Sequence, residues 1–234
     1  MVKQSAFVLA AFAIAVLAAG AAVTPASADV IYSFTTGGNG NANQSGTAVF
    51  DFTSANTFTL TLTNTDTMTS IASILDGFLF KESGSVTSIS LTGLSAAASV
   101  TCTKTGGCVD SSPGAQPTTD WGLTRSGGAI TLTSGTSGAL HPYGISNDTI
   151  ETNYYLDGLT NGQHNPTLEG PVIFSFTTTG ETSIPLISNV TFQFGTTPAN
   201  IRGIPVPEPG SLGLLGTGLL GLGFIGRVRR RRVV

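Results

Sequence analysis

The chain has 234 residues, of which 10% are charged, 40% are hydrophobic, 30 are glycine and two are cysteine. Its formal charge of −3 hides an acidic middle: residues 29 to 205 hold four basic and twelve acidic residues, a formal charge of −8. Nucleic acid and anionic lipid both need clustered lysine or arginine, so this balance argues against either as a partner.

At the N-terminus, Lys3 supplies a short positive region, Ala6 to Ala22 is an unbroken apolar run, and Ala26-Ser27-Ala28 is a small-x-small cleavage site. This reads as a signal peptide helix over residues 1–28, engaged by the Sec translocon and removed by signal peptidase after Ala28. A retained N-terminal helix is the plainer alternative. The segment 29–205 is then the exported domain, long enough for one sizeable core.

The exported part reads as all-β. Tyr32/Phe34, Phe50/Phe52, Phe78/Phe80, Phe174/Phe176 and Phe192/Phe194 each put two rings on one side of a strand, because side chains alternate. Residues 57 to 63 alternate threonine with Phe58, Leu60 and Leu62, the pattern of an antiparallel strand with one wet face. The expected strands are 30–34, 47–53, 57–63, 71–80, 85–94, 97–103, 129–134, 171–179 and 188–195, and no helical period of useful length interrupts them. Turn signals at 37–41, 64–66, 106–107 and 127–128 separate several of them. This predicts an antiparallel β-sandwich of jelly-roll or immunoglobulin-like type. In an exported chain Cys102 and Cys108 most simply pair as a disulfide around Gly106-Gly107. A metal site needs more ligands than two cysteines, and no histidine stands nearby.

From Asp110 to Leu168 the pattern loosens into prolines and glycines, which reads as long loops inserted in the sandwich. They hold Trp121, Tyr143, Tyr154 and Tyr155, which would either stack on sugar rings or pin the loops to the sandwich; pinning is the favoured reading. Catalysis would need a nucleophile with its base, paired carboxylates or a metal cluster. His141 and His164 sit in no such motif, and Asp148, Glu151, Asp157 and Glu169 lack the spacing of a calcium loop. The expectation is a protein that is not an enzyme and carries neither cofactor nor metal.

Beyond residue 205 come Val206-Pro207-Glu208-Pro209-Gly210, then an uncharged run over 211–226, then Arg227, Arg229, Arg230, Arg231 and Arg232 within 227–234. The prolines favour a stiff extended segment. The run would span about 24 Å as a helix, short of the ~30 Å hydrocarbon core but able to cross with local thinning. The arginines place their end in the cytoplasm and everything before Ser211 outside. A plain tail anchor behind a proline-rich stalk is one reading. Taken in this order at the C-terminus, however, the three features resemble the PEP-CTERM sorting signal of bacterial exosortase substrates. That resemblance implies that Pro207, Glu208 and Pro209 are recognised by an exosortase-like membrane transpeptidase, which cuts near them. The protein would pass from a transient inner-membrane anchor to the cell surface or the exopolysaccharide matrix, in a structural or interaction role. Trp121-Gly122-Leu123, Tyr143-Gly144-Ile145-Ser146, Leu156-Asp157-Gly158-Leu159 and residues 187–196 are similar in order to a subset of such surface proteins, which implies no known activity. The alternative is a carbohydrate-binding module or adhesin using the 110–168 loops, with exopolysaccharide as ligand.

Overall fold

The computed structural model describes residues 30–35 (backbone only), 44–66, 71–103, 107–111, 114–116, 118–134, 142–147, 164–195 and 199–206. In chain order the strands are β1 (Val30–Thr35), β2 (Ser45–Ser54), β3 (Thr57–Asn64), β4 (Leu75–Glu82), β5 (Ser88–Ala96), β6 (Ala98–Thr103), β7 (Gly107–Ser111) and β8 (Gly114–Ala115). They continue as β9 (Trp121–Ser126), β10 (Ala129–Ser134), β11 (Ile145–Ser146), β12 (Thr167–Glu169), β13 (Val172–Thr179), β14 (Ile187–Phe194), β15 (Ala199–Arg202) and β16 (Ile204–Val206). One sheet has the order β16-β1-β2-β3-β13-β5-β8. The other runs β15-β14-β4-β11-β12-β6-β7, and β10, carrying β9, shares the outer edge of β4 with β11. Pairing is antiparallel except between β11 and β12. Among the described residues no helix is long and apolar enough to cross a membrane. The segments 1–28 and 207–234, with Ala26, Ala28, Pro207, Glu208, Pro209 and the five tail arginines, lie outside those residues.

The alternation in the sequence is the alternation in space. On β2, β3 and β13 every second residue is buried, while the threonines and serines between them face outward. The inward rings of both sheets meet in one core: Phe50 lies 5.0 Å edge-on from Phe80 and 6.0 Å from Phe78, and Phe58 stacks on Phe176 at 4.8 Å. Full burial of each ring contributes roughly 1.5–3 kcal/mol, so this cluster is the main apolar term holding the sheets together. The aromatic pairs at 50/52, 78/80, 174/176 and 192/194 are therefore core, as their spacing implied.

Two readings need correction. Residues 71–80 are not one strand, because Ile71–Ser73 close a 3-10 turn and β4 begins at Leu75. The turn is held from outside: the Gly195 amide donates to the Ile74 carbonyl at 2.9 Å, and a Cβ on Gly195, whose φ is 73°, would lie 2.8 Å from the Ala72 Cα. The stretch 110–168 is also not all loop. Trp121–Ser126 and Ala129–Ser134 form a hairpin across Gly127-Gly128, whose φ values of 57° and 81° suit a tight turn with both central residues left-handed.

Cys102 and Cys108 are bonded and stand directly opposite on β6 and β7, an edge hairpin that was expected only in its first strand. On the other side of β6, the Asn165 side chain accepts from the Cys102 amide and donates to the Cys102 carbonyl, both at 2.9 Å. The carboxamide so continues, two residues further on, the ladder that β12 makes with β6.

Candidate functional site

The strands share two ends. At one lie Asn64, Leu75, Ser134, Val172 and Phe194; at the other lie Thr57, Glu82, Ala129, Thr179 and Ile187. The first end, here the upper, holds most of the buried polar side chains. Asn64 donates to the Ser73 carbonyl at 2.7 Å and the Ile145 carbonyl at 3.0 Å, and its oxygen accepts from the Asp66 amide at 3.0 Å. Gln44 donates to the Ala72 carbonyl at 2.6 Å, and Asn147 donates to the Asp66 carbonyl. Ser146 donates to the Leu168 carbonyl at 3.2 Å. These bonds satisfy the backbone where strands from both sheets stop together, which explains why the polar groups are tolerated there.

Asp76 is different in kind. Gln193 pairs with Gly77 but Phe194 pairs with Leu75, so Asp76 is the extra residue of a β-bulge, and it is buried together with Leu75. Burial pushes its carboxyl up to about 7, against the partial offset of its own backbone amide. Its Oδ1 is buried without a hydrogen-bond partner. Ser134, one residue past the Thr133–Gly77 pair at the end of β10, is also buried with an Oγ that has no hydrogen-bond partner. Chemically Asp76 offers a carboxyl that takes or gives a proton near neutrality, and no hydrogen bond joins its Oδ1 to Ser134 Oγ.

The lower end holds a second group. Glu82 and Glu181 are both buried; Glu181 Oε1 has no hydrogen-bond partner, and Glu82 Oε1 faces Arg125 alone. Arg125 Nε lies 3.5 Å from Glu82, and its guanidinium also donates to the Val86 carbonyl. Burial raises the Glu82 carboxyl, Arg125 opposes the rise, and Glu181 adds to it. The Glu181 carboxylate occupies the space a side chain at Gly84 would fill.

Trp121, expected on a loop where it would either stack on sugar or pin the loop, is 3% exposed. It packs edge-on against Phe174 at 4.9 Å and donates its indole N–H to the Tyr143 carbonyl at 3.1 Å. It is thereby withdrawn from any set of sugar-stacking side chains, and its bond fastens the 142–147 segment to β9. Tyr143 is half-buried with φ 73°, its ring leans on the core, and burial followed by Asp120 raises its hydroxyl. Tyr154 and Tyr155, like His141, Asp148, Glu151 and Asp157, lie outside the described residues. His164 is buried, and Glu169 is half-buried at the end of β12.

Sequence reasoning passed over Asp76, Ser134, Glu82 and Glu181. A signal existed for Asp76, the single acid inside the apolar run from Ile74 to Phe80. None existed for Glu181, whose burial depends on a glycine almost a hundred positions away. Searches of protein-family models, curated proteins and solved structures return no significant match to this chain.

Proposed function

We propose that this is an exported surface or exopolysaccharide-matrix protein whose β-sandwich, of jelly-roll or immunoglobulin-like type, has a structural or interaction role. Its C-terminus is processed by an exosortase-like transpeptidase. The observation that carries the reading is the order Pro207-Glu208-Pro209, uncharged run, arginine cluster. The fold is compatible with it: β16, the last strand among the described residues, ends at Val206, directly before Pro207. Two sheets closed on an aromatic core, with outward faces of threonine and serine, suit a durable scaffold in a polysaccharide layer.

As a carbohydrate-binding module the protein would have to rely on Tyr143, Tyr154 and Tyr155, since Trp121 is committed to the core. Fractionation of the native host tests the sorting reading: the wild type should leave the inner membrane, and a variant with alanine at 207, 208 and 209 should stay there. Equal retention of both would reduce the protein to a tail-anchored one.

A further inference from the structure

The two sheets end in five described edge strands, β7, β8, β9, β15 and β16. An open edge is a row of unpaired amides and carbonyls, and native sheets blunt it with shortness, proline, basic charge or an inward-pointing charge. β8 has two residues, β16 has Pro205 at its centre, β15 has four residues ending in exposed Arg202, and on β9 Arg125 reaches in to buried Glu82. β7 differs: it has five residues, Gly107–Ser111, with no proline, no lysine or arginine, and a ladder to β6 without a register shift. Val109 is 65% exposed, and Asp110, the one charge on the strand, is exposed beside it.

The bonds around β6 fix which backbone groups β7 leaves free. The Cys102 amide and carbonyl both bond the Asn165 side chain, on the β12 side of the strand. In an antiparallel ladder a residue sends both groups to the same side, so Cys102 and Cys108 stand opposite each other without mutual backbone bonds. The pairs then alternate: Gly107, Val109 and Ser111 bond β6, whereas Cys108 and Asp110 turn their amides and carbonyls away from it. Among the described residues no strand pairs with that outer edge. β7 so offers two donors and two acceptors in strand geometry.

An identical strand answers this pattern. Laid antiparallel about a two-fold axis at Val109, two copies of β7 set Gly107 opposite Ser111 and Cys108 opposite Asp110, and the two Cys108–Asp110 pairs exchange four N–H···O bonds. Val109 then meets Val109 of the second copy in a pair without backbone bonds, where side chains come closest. Moving the axis to Cys108 or to Asp110 leaves three residues overlapping and one bonded pair, and at Asp110 it sets the two carboxylates face to face. Only the axis at Val109 uses all the free groups.

We propose that two copies of this chain join through β7 in this register, extending the second sheet across both. The joint does not depend on how the C-terminus is processed. A single five-residue pairing, about 17 Å long, buries well under the ~1,200 Å² of a stable interface, and residues 29 to 205 carry a formal charge of −8. Association is therefore weak, shows at high protein concentration and strengthens with salt.

The test uses the full chain in detergent micelles over a micromolar to millimolar concentration series, with sedimentation equilibrium giving the protein mass and amide hydrogen exchange read residue by residue. The expected result is a mass that rises from one chain toward two, with the Cys108 and Asp110 amides slowing in step, while the Val109 amide, already bonded to β6, does not change. Asp110→Pro removes an outward amide that β6 does not use, and should stay a monomer throughout. Val109→Asp, at an exposed side chain, sets carboxylates opposite each other and should weaken association severalfold. Emission from buried Trp121 reports that each variant is folded. A mass that stays at one chain overturns the proposal. So does a dimer whose Cys108 and Asp110 amides exchange as fast as in the monomer, or one that both variants form as readily as the wild type.

Discussion

Replacing Asp76 with asparagine isolates the most perturbed described carboxyl. Its pKa in the fold is about 7, against 3.8 for an unperturbed aspartate, so the folded state binds the proton more tightly than the unfolded chain does. Its contribution to stability is therefore fully present below pH ~4, is lost as pH rises from there to about 7, and is level above. At 1.36 kcal/mol per unit, the gap corresponds to about 4 kcal/mol between pH 4 and pH 8. Asparagine cannot ionise, so urea unfolding of wild type and Asp76→Asn, disulfide intact, should give a stability difference that changes across this window by up to that amount. The variant gains relative to wild type as pH rises. A difference that is constant from pH 4 to pH 8 would refute the burial of an ionisable group at the bulge, whatever the absolute stabilities.

The other predictions concern single contacts. Arg125→Met should destabilise by roughly 1–3 kcal/mol at pH 8 and by less at pH 4, where protonated Glu82 needs no counter-charge; equal losses at both pH values would contradict the pairing. Phe50→Ala removes a ring that meets rings from both sheets and should cost about 3–5 kcal/mol in chemical denaturation. Gly195→Ala, at a left-handed position against the Ala72 backbone, should cost more than the ~1 kcal/mol of an ordinary glycine replacement and lower the melting temperature accordingly. Trp121 should emit at short wavelength and be insensitive to added polysaccharide, and Trp121→Phe, which loses the bond to the Tyr143 carbonyl, should cost about 1 kcal/mol without changing glycan retention.

Much of the fold was legible because one face of each long strand is dry. β3 declares itself by strict alternation of threonine with Phe and Leu, and β10 and β13 do so over their central residues, Ile130 to Thr133 and Phe174 to Thr177. β7 and β9 did not, since Gly107-Cys108-Val109-Asp110-Ser111 and the polar half of Trp121–Ser126 have no dry face to advertise: β7 is an edge and β9 pairs only with β10. β11, β12, β15 and β16 are too short to show a period at all. The disulfide was legible from its context alone. The polar ends were legible only at Asp76, the one acid in an apolar run, because the burial of Glu181 depends on Gly84, which the topology brings to it from far away in the chain.

Intact mass of the protein recovered from its native host, from membrane and from extracellular fractions, tests the central claim most directly. The account predicts that the extracellular form begins at Asp29 and lacks the run from Ser211 and the arginine cluster, with its new end near Pro207, and that the uncut chain is confined to the inner membrane. An extracellular or membrane form that keeps Arg227 to Arg232 as its only C-terminus would contradict it.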